Sequence, residues 1–244
     1  MATLTEIAPD IYRISTYAPE IGLQYNQFLV KDEDPLLCHT GTGRMFAEVR
    51  EAVAKVVEPS RIRWIFASHF EADECGALNA WLAEAAAAQP ACSALGALAN
   101  LNDFSTRTPR ALEKGEVLET GVYRFRFFRT PHLPHGWDAG MLFEESNRTL
   151  FCSDLFQHNG DVEAITEANI ADRARGALIG YQNNGLMADC IPYTPHTRHL
   201  LHELAALKPK TLATMHGSAF VGDGERTLQD LAQEMKKIYG GREW

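Results

Sequence analysis

The sequence predicts an α/β protein built as an αββα sandwich, two β-sheets packed together with helices outside. Strand-like runs cluster in both halves of the 244 residues, helical patterns lie between and outside those clusters, and four apolar runs each end in a histidine or a carboxylate. A sheet buries one face and a helix one stripe, so such elements stabilise one another as layers. With 45% hydrophobic and 23% charged residues, and no internal linker or low-complexity tract, residues 1–244 read as one domain with a sizeable core.

Ile11 to Ser15 and Gln27 to Val30 read as short strands, and "PLLCHTGTG" as an apolar strand ending in a Gly-rich turn. Phe46, Val49, Val53 and Val57 recur at helical spacing until Pro59 breaks the pattern, and "IRWIFASH" supplies a buried strand. Ala77 to Ala88 is an Ala/Leu-rich helix stopped near Pro90, and "SALGALANL" is a second helical patch. "GVYRFRFFRT" alternates as a half-buried strand does, and "GMLFEESNRTLFCSD" reads as two strands joined at Ser146 and Asn147. Residues 156–194 read as a long loop and helix insertion. "HTRHLLHELAALKP" is a helix ended by Pro209, "KTLATMHG" a strand, and Glu225 to Tyr239 a closing amphipathic helix.

The formal charge of -9, without a Lys/Arg-rich stretch, argues against nucleic acid or an anionic membrane surface as partner, since neither attracts an acidic protein. The opening residues carry Glu6 and Asp10 where a signal peptide needs a basic start and an apolar stretch, and no window is long and apolar enough to span a membrane. Cys38, Cys75, Cys92, Cys152 and Cys190 are odd in number and scattered, which suits reduced thiols in a cytoplasm.

The four runs with polar ends are "RWIFASHFEAD", "RFFRTPHLPHGWD", "LFCSD" and "TLATMHG". Strand ends position side chains rigidly, so four of them converging at one rim make a polar pocket. His69, Glu71, Asp73, His135, Asp154 and His216 are then candidate metal ligands. Six donors exceed the needs of one tetrahedral ion with an open position, so two ions are implied. With half of the donors carboxylates, the set leans toward iron or manganese over zinc.

The motif His69-x-Glu71-x-Asp73, followed by 61 intervening residues to His135, 18 to Asp154 and 61 to His216, resembles that of the flavodiiron proteins within the metallo-β-lactamase superfamily. The opening "IAPDIYRIS…YNQFLVKDEDPLLCHTG" is similar to the start of their β-lactamase-like domain. Zinc hydrolases of the superfamily have histidine where Glu71 stands. The chain ends about where the family's flavodoxin domain begins, so it looks like the stand-alone oxygen-binding di-iron proteins, and the resemblance implies no flavin. It also implies that His69, Glu71 and His135 hold one iron, that Asp73 and His216 hold the other, and that Asp154 bridges them. Many superfamily members have histidine where Glu74 stands; Glu74 either binds the second metal, hydrogen-bonds its water, or turns outward as a helix N-terminal acid.

The expected function is binding, sensing or reduction of dioxygen or nitric oxide at a di-iron centre, with a separate redox or signalling protein as partner and a homodimer as the family's habit. The alternative is a metallohydrolase, with zinc or manganese among the metals, whose bridging hydroxide attacks a small ester, thioester or phosphodiester. His132 reads as a strand-end surface residue or a hydrogen-bond donor behind the ligands. Cys75 and Cys152 read as space-filling thiols, and Trp137 and Asp138 as pocket wall or packing. His158, His196, His199 and His202 receive no function. "HTGTG" at His39 to Gly43 is a turn, lacking the frame of a phosphate loop.

Overall fold

The computed structural model describes residues 1–240; positions 241–244 of the expected domain lie outside the described residues. The first half of the chain supplies β1 (Thr3–Ala8), β2 (Ile11–Ala18), β3 (Leu23–Val30), β4 (Leu36–Cys38), α1 (Phe46–Val53), β5 (Trp64–Phe66), α2 (Ala72–Cys75), α3 (Leu78–Glu84) and β6 (Gln89–Ser93). Next come α4 (Ala94–Gly96), a π-helical stretch Ala97–Leu101, α5 (Asn102–Phe104), β7 (Arg110–Leu112) and β8 (Val117–Glu119). The remainder is β9 (Arg124–Arg129), β10 (Gly140–Glu144), β11 (Thr149–Phe151), β12 (Ile165–Thr166), α6 (Ile170–Asn183), α7 (Thr197–Ala205), β13 (Thr211–Ala213), β14 (Ala219–Val221) and α8 (Gly224–Tyr239).

One sheet runs β1 to β7 in sequence order, antiparallel as far as β4 and parallel beyond it. The other runs β12-β14-β13-β11-β10-β9-β8, with β11 parallel to β13. Parallel neighbours need a crossover, and here the crossovers contain helices that cover the outer faces. Side-chain alternation sorts the core into layers. Leu36 and Cys38 face the space between the sheets with Phe28, Phe66, Phe127 and Phe151, whereas Leu37 faces outward against Val49, Leu78 and Trp81. The second sheet repeats this: Phe151 and Ala213 point between the sheets, while Leu150 and Leu212 point out to Ala174, Leu201, Leu231 and Met235. The αββα sandwich expected from the sequence is therefore the observed architecture. Among the described residues no helix is long and apolar enough to cross a membrane.

The sequence pattern does not predict β1, β6, β7, β8, β12 or β14. In β6, Pro90 reads as a helix stop, yet it stands in the parallel strand opposite Ile65 and merely forgoes one ladder hydrogen bond. The strands β7, β8, β12 and β14 are two or three residues long, too short for alternation to register. The insertion at 156–194 resolves into β12 and α6, whose N-cap Asn169 accepts from the Ala171 N–H at 2.9 Å.

Gly140 opens β10 and donates its N–H to the Ser68 carbonyl at 2.8 Å, tying the chain after His135 to the chain before His69. A Cβ there would lie 2.3 Å from the Phe127 ring and 3.0 Å from the Phe128 carbonyl, neither of which is a free end that swings away. Gly140→Ala is therefore expected to destabilise the fold by roughly 1–3 kcal/mol through overpacking. Urea unfolding of the two proteins checks this, and equal midpoints would contradict it.

Candidate metal centre

Each of the four polar-ended runs follows a strand of the inner rim. His69, Glu71, Asp73 and Glu74 come after β5, His135 after β9, Asp154 after β11, and His216 after β13. The structure brings all six sequence-predicted residues together. His69 Nε2 lies 3.2 Å from Glu71 Oε2 and 3.5 Å from Asp154 Oδ2, and His135 Nε2 lies 3.4 Å and 2.9 Å from the same two oxygens. On the other side, His216 Nε2 lies 3.3 Å from Asp73 Oδ2 and 3.3 Å from Asp154 Oδ1. Asp154 thus turns one oxygen to each of two donor groups.

These spacings suit metal coordination. Ligands about 2.1 Å from one ion sit about 3.0 Å apart at octahedral and about 3.4 Å apart at tetrahedral angles. The observed separations of 2.9–3.5 Å bracket those values. The imidazoles are turned to offer Nε2. His216 Nδ1–H donates to the Gln24 carbonyl at 2.8 Å, which fixes the ring and leaves Nε2 facing the cluster. Tyr25 packs edge-on against that ring.

Glu74 decides among the readings its position left open. It is 0% exposed, its Oε1 lies 3.9 Å from His69 Nε2, and no N–H or hydroxyl donates to either carboxylate oxygen, its nearest polar company being the Asp73 carboxyl. It points into the cluster, so the outward-facing helix acid is excluded. A buried carboxyl without a donor is costly when charged. Burial, followed by the negative charges of Asp154 and Asp73, pushes its pKa well above the usual carboxylate range. A buried carboxyl to which no N–H or hydroxyl donates, beside two sets of donors, fits a bound cation.

Other groups shape the site without belonging to the predicted six. His69 Nδ1 lies 3.1 Å from Ser68 Oγ, which is 2.8 Å from Ser153 Oγ and 3.0 Å from His39 Nε2, while His39 Nδ1 lies 3.0 Å from Met215 Sδ. One assignment satisfies every group: His69 N–H and Ser153 O–H donate to Ser68, Ser68 O–H donates to His39, and His39 N–H donates to the thioether. Burial pushes the His39 pKa down to about 4, consistent with the neutral ring this needs. Sequence reasoning took His39 for a turn residue, although it too ends an apolar run, and that shared grammar could have found it. The turn carrying His216 is clamped from the opposite sheet. Asn26 Nδ2 donates to the Thr214 and Gly217 carbonyls at 2.8 Å each, and the buried Arg13 Nη2 donates to Gly217 at 2.9 Å.

The remaining candidates take plainer places. Asp138 is buried and accepts from the Phe70 N–H at 3.1 Å and Asn100 Nδ2 at 3.2 Å, binding loops together, while Trp137 is half exposed. His132 makes no side-chain hydrogen bond to a cluster residue among the described residues. Cys75 and Cys152 are buried, and burial pushes the Cys75 thiol up to about 12. His158 is a satisfied buried histidine, its Nδ1–H donating to the Phe156 carbonyl and its Nε2 accepting from the Ser218 N–H. His196, His199 and His202 are exposed. A cleft of about 720 Å³ opens over the cluster, walled by Tyr25, Phe70, Pro134, Gln157, Tyr181 and Met187 among others.

An αββα sandwich with a carboxylate-rich histidine cluster where its strands end defines a protein of the metallo-β-lactamase fold with a candidate metal site. The chain belongs to the family described as ODP family beta lactamase, whose profile matches residues 23–217. Its relatives include the rubredoxin-oxygen oxidoreductase of Megalodesulfovibrio gigas, 26% identical over 213 residues covering 85% of this chain and 52% of that protein. The flavo-diiron protein FprA2 of Clostridium acetobutylicum is 25% identical over 227 residues, covering 89% of this chain and 56% of that protein. The chain therefore spans about half the length of the curated relatives it matches. In fold it matches the rubredoxin oxygen:oxidoreductase from Desulfovibrio gigas with a TM-score of 0.81 at 22% identity, over 95% of this chain and 61% of the other. It also matches a fragment of the putative diflavin flavoprotein A 5 from Nostoc sp. PCC 7120, with a TM-score of 0.78 at 17% identity, over 97% of this chain and 96% of the other.

Without metal, the cluster ties stability to pH. Burial opposes charge on His216, but hydrogen bonds to Asp154 and Asp73 outweigh it and raise the pKa to about 10. A pKa raised in the folded state gives stability that is fully present below the unfolded value of about 6.5 and lost as pH climbs toward the folded one. The metal-free protein should thus melt at lower temperature at pH 9.5 than at pH 7, a difference that His216→Ala should diminish. Calorimetry on chelator-treated protein tests it; an identical pH dependence in the variant would contradict it.

Proposed function

We propose that this chain is a non-haem di-iron protein that binds, senses or reduces dioxygen or nitric oxide. The observation that carries the reading is the placement of Asp154 between two donor groups, beside a buried Glu74 with no hydrogen-bond donor. His69, Glu71 and His135 would hold one iron and Asp73 and His216 the other, with Asp154 shared. Glu71, Asp73, Glu74 and Asp154 carry four negative charges when ionised, which two divalent cations balance without remainder. Carboxylate-rich ligation favours iron or manganese over zinc, and the names of the two curated relatives, one an oxygen oxidoreductase and one a flavo-diiron protein, agree with iron.

When bound, a ferrous pair supplies open coordination positions and the electrons that a diatomic ligand takes up. The chain's own residues do the rest. Ser68 and the Gln24 carbonyl hold the His69 and His216 rings so that Nε2 faces the cluster, and Tyr25, Pro134 and Tyr181 place apolar surface around it. In this reading the domain carries no flavin, and a separate redox or signalling protein, in a cytoplasmic setting, supplies or reads the electrons. A homodimer belongs to the same proposal.

Hydrolysis of an ester, thioester or phosphodiester is the second reading, favoured by one observation: the cleft of about 720 Å³ is far larger than a diatomic ligand requires. Elemental analysis of protein purified without oxygen, followed by the optical spectrum on admitting O2, separates the two. Two irons per chain and a new charge-transfer band are expected. Two zincs, or irons whose spectrum ignores both O2 and nitric oxide, would overturn the di-iron reading in favour of the hydrolase.

A further inference from the structure

Beside the open cleft, and sharing Asp154 with it, lies a second and much smaller space of about 20 Å³. Its inner walls are Leu155, Phe156, Ala174, Leu178, Leu231 and Met235, all buried members of the core beneath α6 and α8. Its outer wall is Pro134, Asp154, Gln157, Tyr181 and Ile191, which also line the large cleft. Gln157 Nε2 donates to the Tyr181 hydroxyl, so this pair forms the partition between the two spaces.

The size is informative. One water-sized particle needs roughly 10–15 Å³ of such space, so the cavity admits a molecule of very few atoms. The lining is informative too. The three polar groups in its wall are already engaged, Gln157 with Tyr181 and Asp154 with His135 and His216, so a water there is left short of the two to four polar partners it requires. A nonpolar diatomic forfeits no hydrogen bonds on entering and gains dispersion contacts on all sides.

We infer that this apolar cavity is a holding site for a nonpolar diatomic gas, opening on the metal cluster at Asp154 through the Gln157–Tyr181 partition. The inference rests on the di-iron reading for its purpose and names a location that reading does not require. Gas drawn from the solvent is kept beside the cluster, while larger and polar solutes remain in the open cleft.

The test is a crystal structure of the metal-loaded protein under xenon pressure, paired with the rate of O2 association to the reduced centre. Xenon is expected between Leu178, Leu231 and Asp154. Ala177→Leu, which fills the cavity from a partly exposed position on α6, is expected to abolish that xenon site and slow O2 association roughly tenfold with metal content unchanged. Should that variant fail to fold, Ala174→Val adds less volume and serves the same purpose. A responsive centre with no xenon in the cavity, or an unchanged association rate in a variant that has lost the xenon site, would overturn the inference alone. Xenon bound beside a centre that ignores O2 and nitric oxide would instead overturn the di-iron reading and, with it, this role for the cavity.

Discussion

The arrangement around Asp154 constrains everything near it. A carboxylate this deeply buried is tolerable only with strong compensation, and here burial is outweighed by hydrogen bonds from His135 and His216, which hold its pKa well below the usual range. The three imidazoles do not suffice for the whole cluster, because Glu74 beside them has no donor at all. Two unlike carboxyls, one held well below the usual carboxylate range and one pushed well above it, sit within a single cluster. A pair of divalent cations would resolve both conditions together, since it would satisfy the orphaned oxygens and remove the repulsion among four acids.

The same cluster joins the two sheets. His69 and Glu74 follow a strand of the first sheet, whereas His135, Asp154 and His216 follow strands of the second. Ser68 and Ser153 repeat the crossing with a direct hydrogen bond of 2.8 Å, and Arg13 and Asn26 of the first sheet hold the turn that carries His216 in the second. Between these polar crossings and the outer helices the interior is aliphatic and aromatic, so the sheets are set by packing over most of their area and by hydrogen bonds at the rim. Fine placement of the donors thus rests on residues some distance from the cluster. Gly217 illustrates the tolerance: it has φ 104°, and a Cβ there would lie 2.3 Å from the His158 ring that supports the turn.

Much of this was legible in the sequence because it follows from period and position. The continuous apolar runs "PLLC" and "TLFC" identify strands buried on both faces, and a polar residue directly after an apolar run marks a strand end. The missed elements lack those signals: Pro90 imitates a helix stop inside β6, and β12 has only two residues. In the site, the six candidate residues were read from the polar ends of apolar runs and from a spacing that resembles a family motif, and the structure places them within one cluster. Glu74 was ambiguous because its direction depends on how α2 begins, after an extended Glu71, which local sequence does not reveal. His39 was missed for a different reason. Its place at the end of an apolar run could have marked it, but its partners Ser68 and Met215, across 29 and 176 positions of chain, are encoded by no local pattern.

The central claim is that Asp154 is shared between two metal ions, and metal stoichiometry in Asp154→Ala tests it most directly. The variant should be compared with the parent protein after identical anaerobic loading with ferrous iron, with circular dichroism confirming that the sheets remain. The account predicts that the parent holds two metals per chain and the folded variant one or none. A folded Asp154→Ala protein that keeps two tightly bound metals would contradict it.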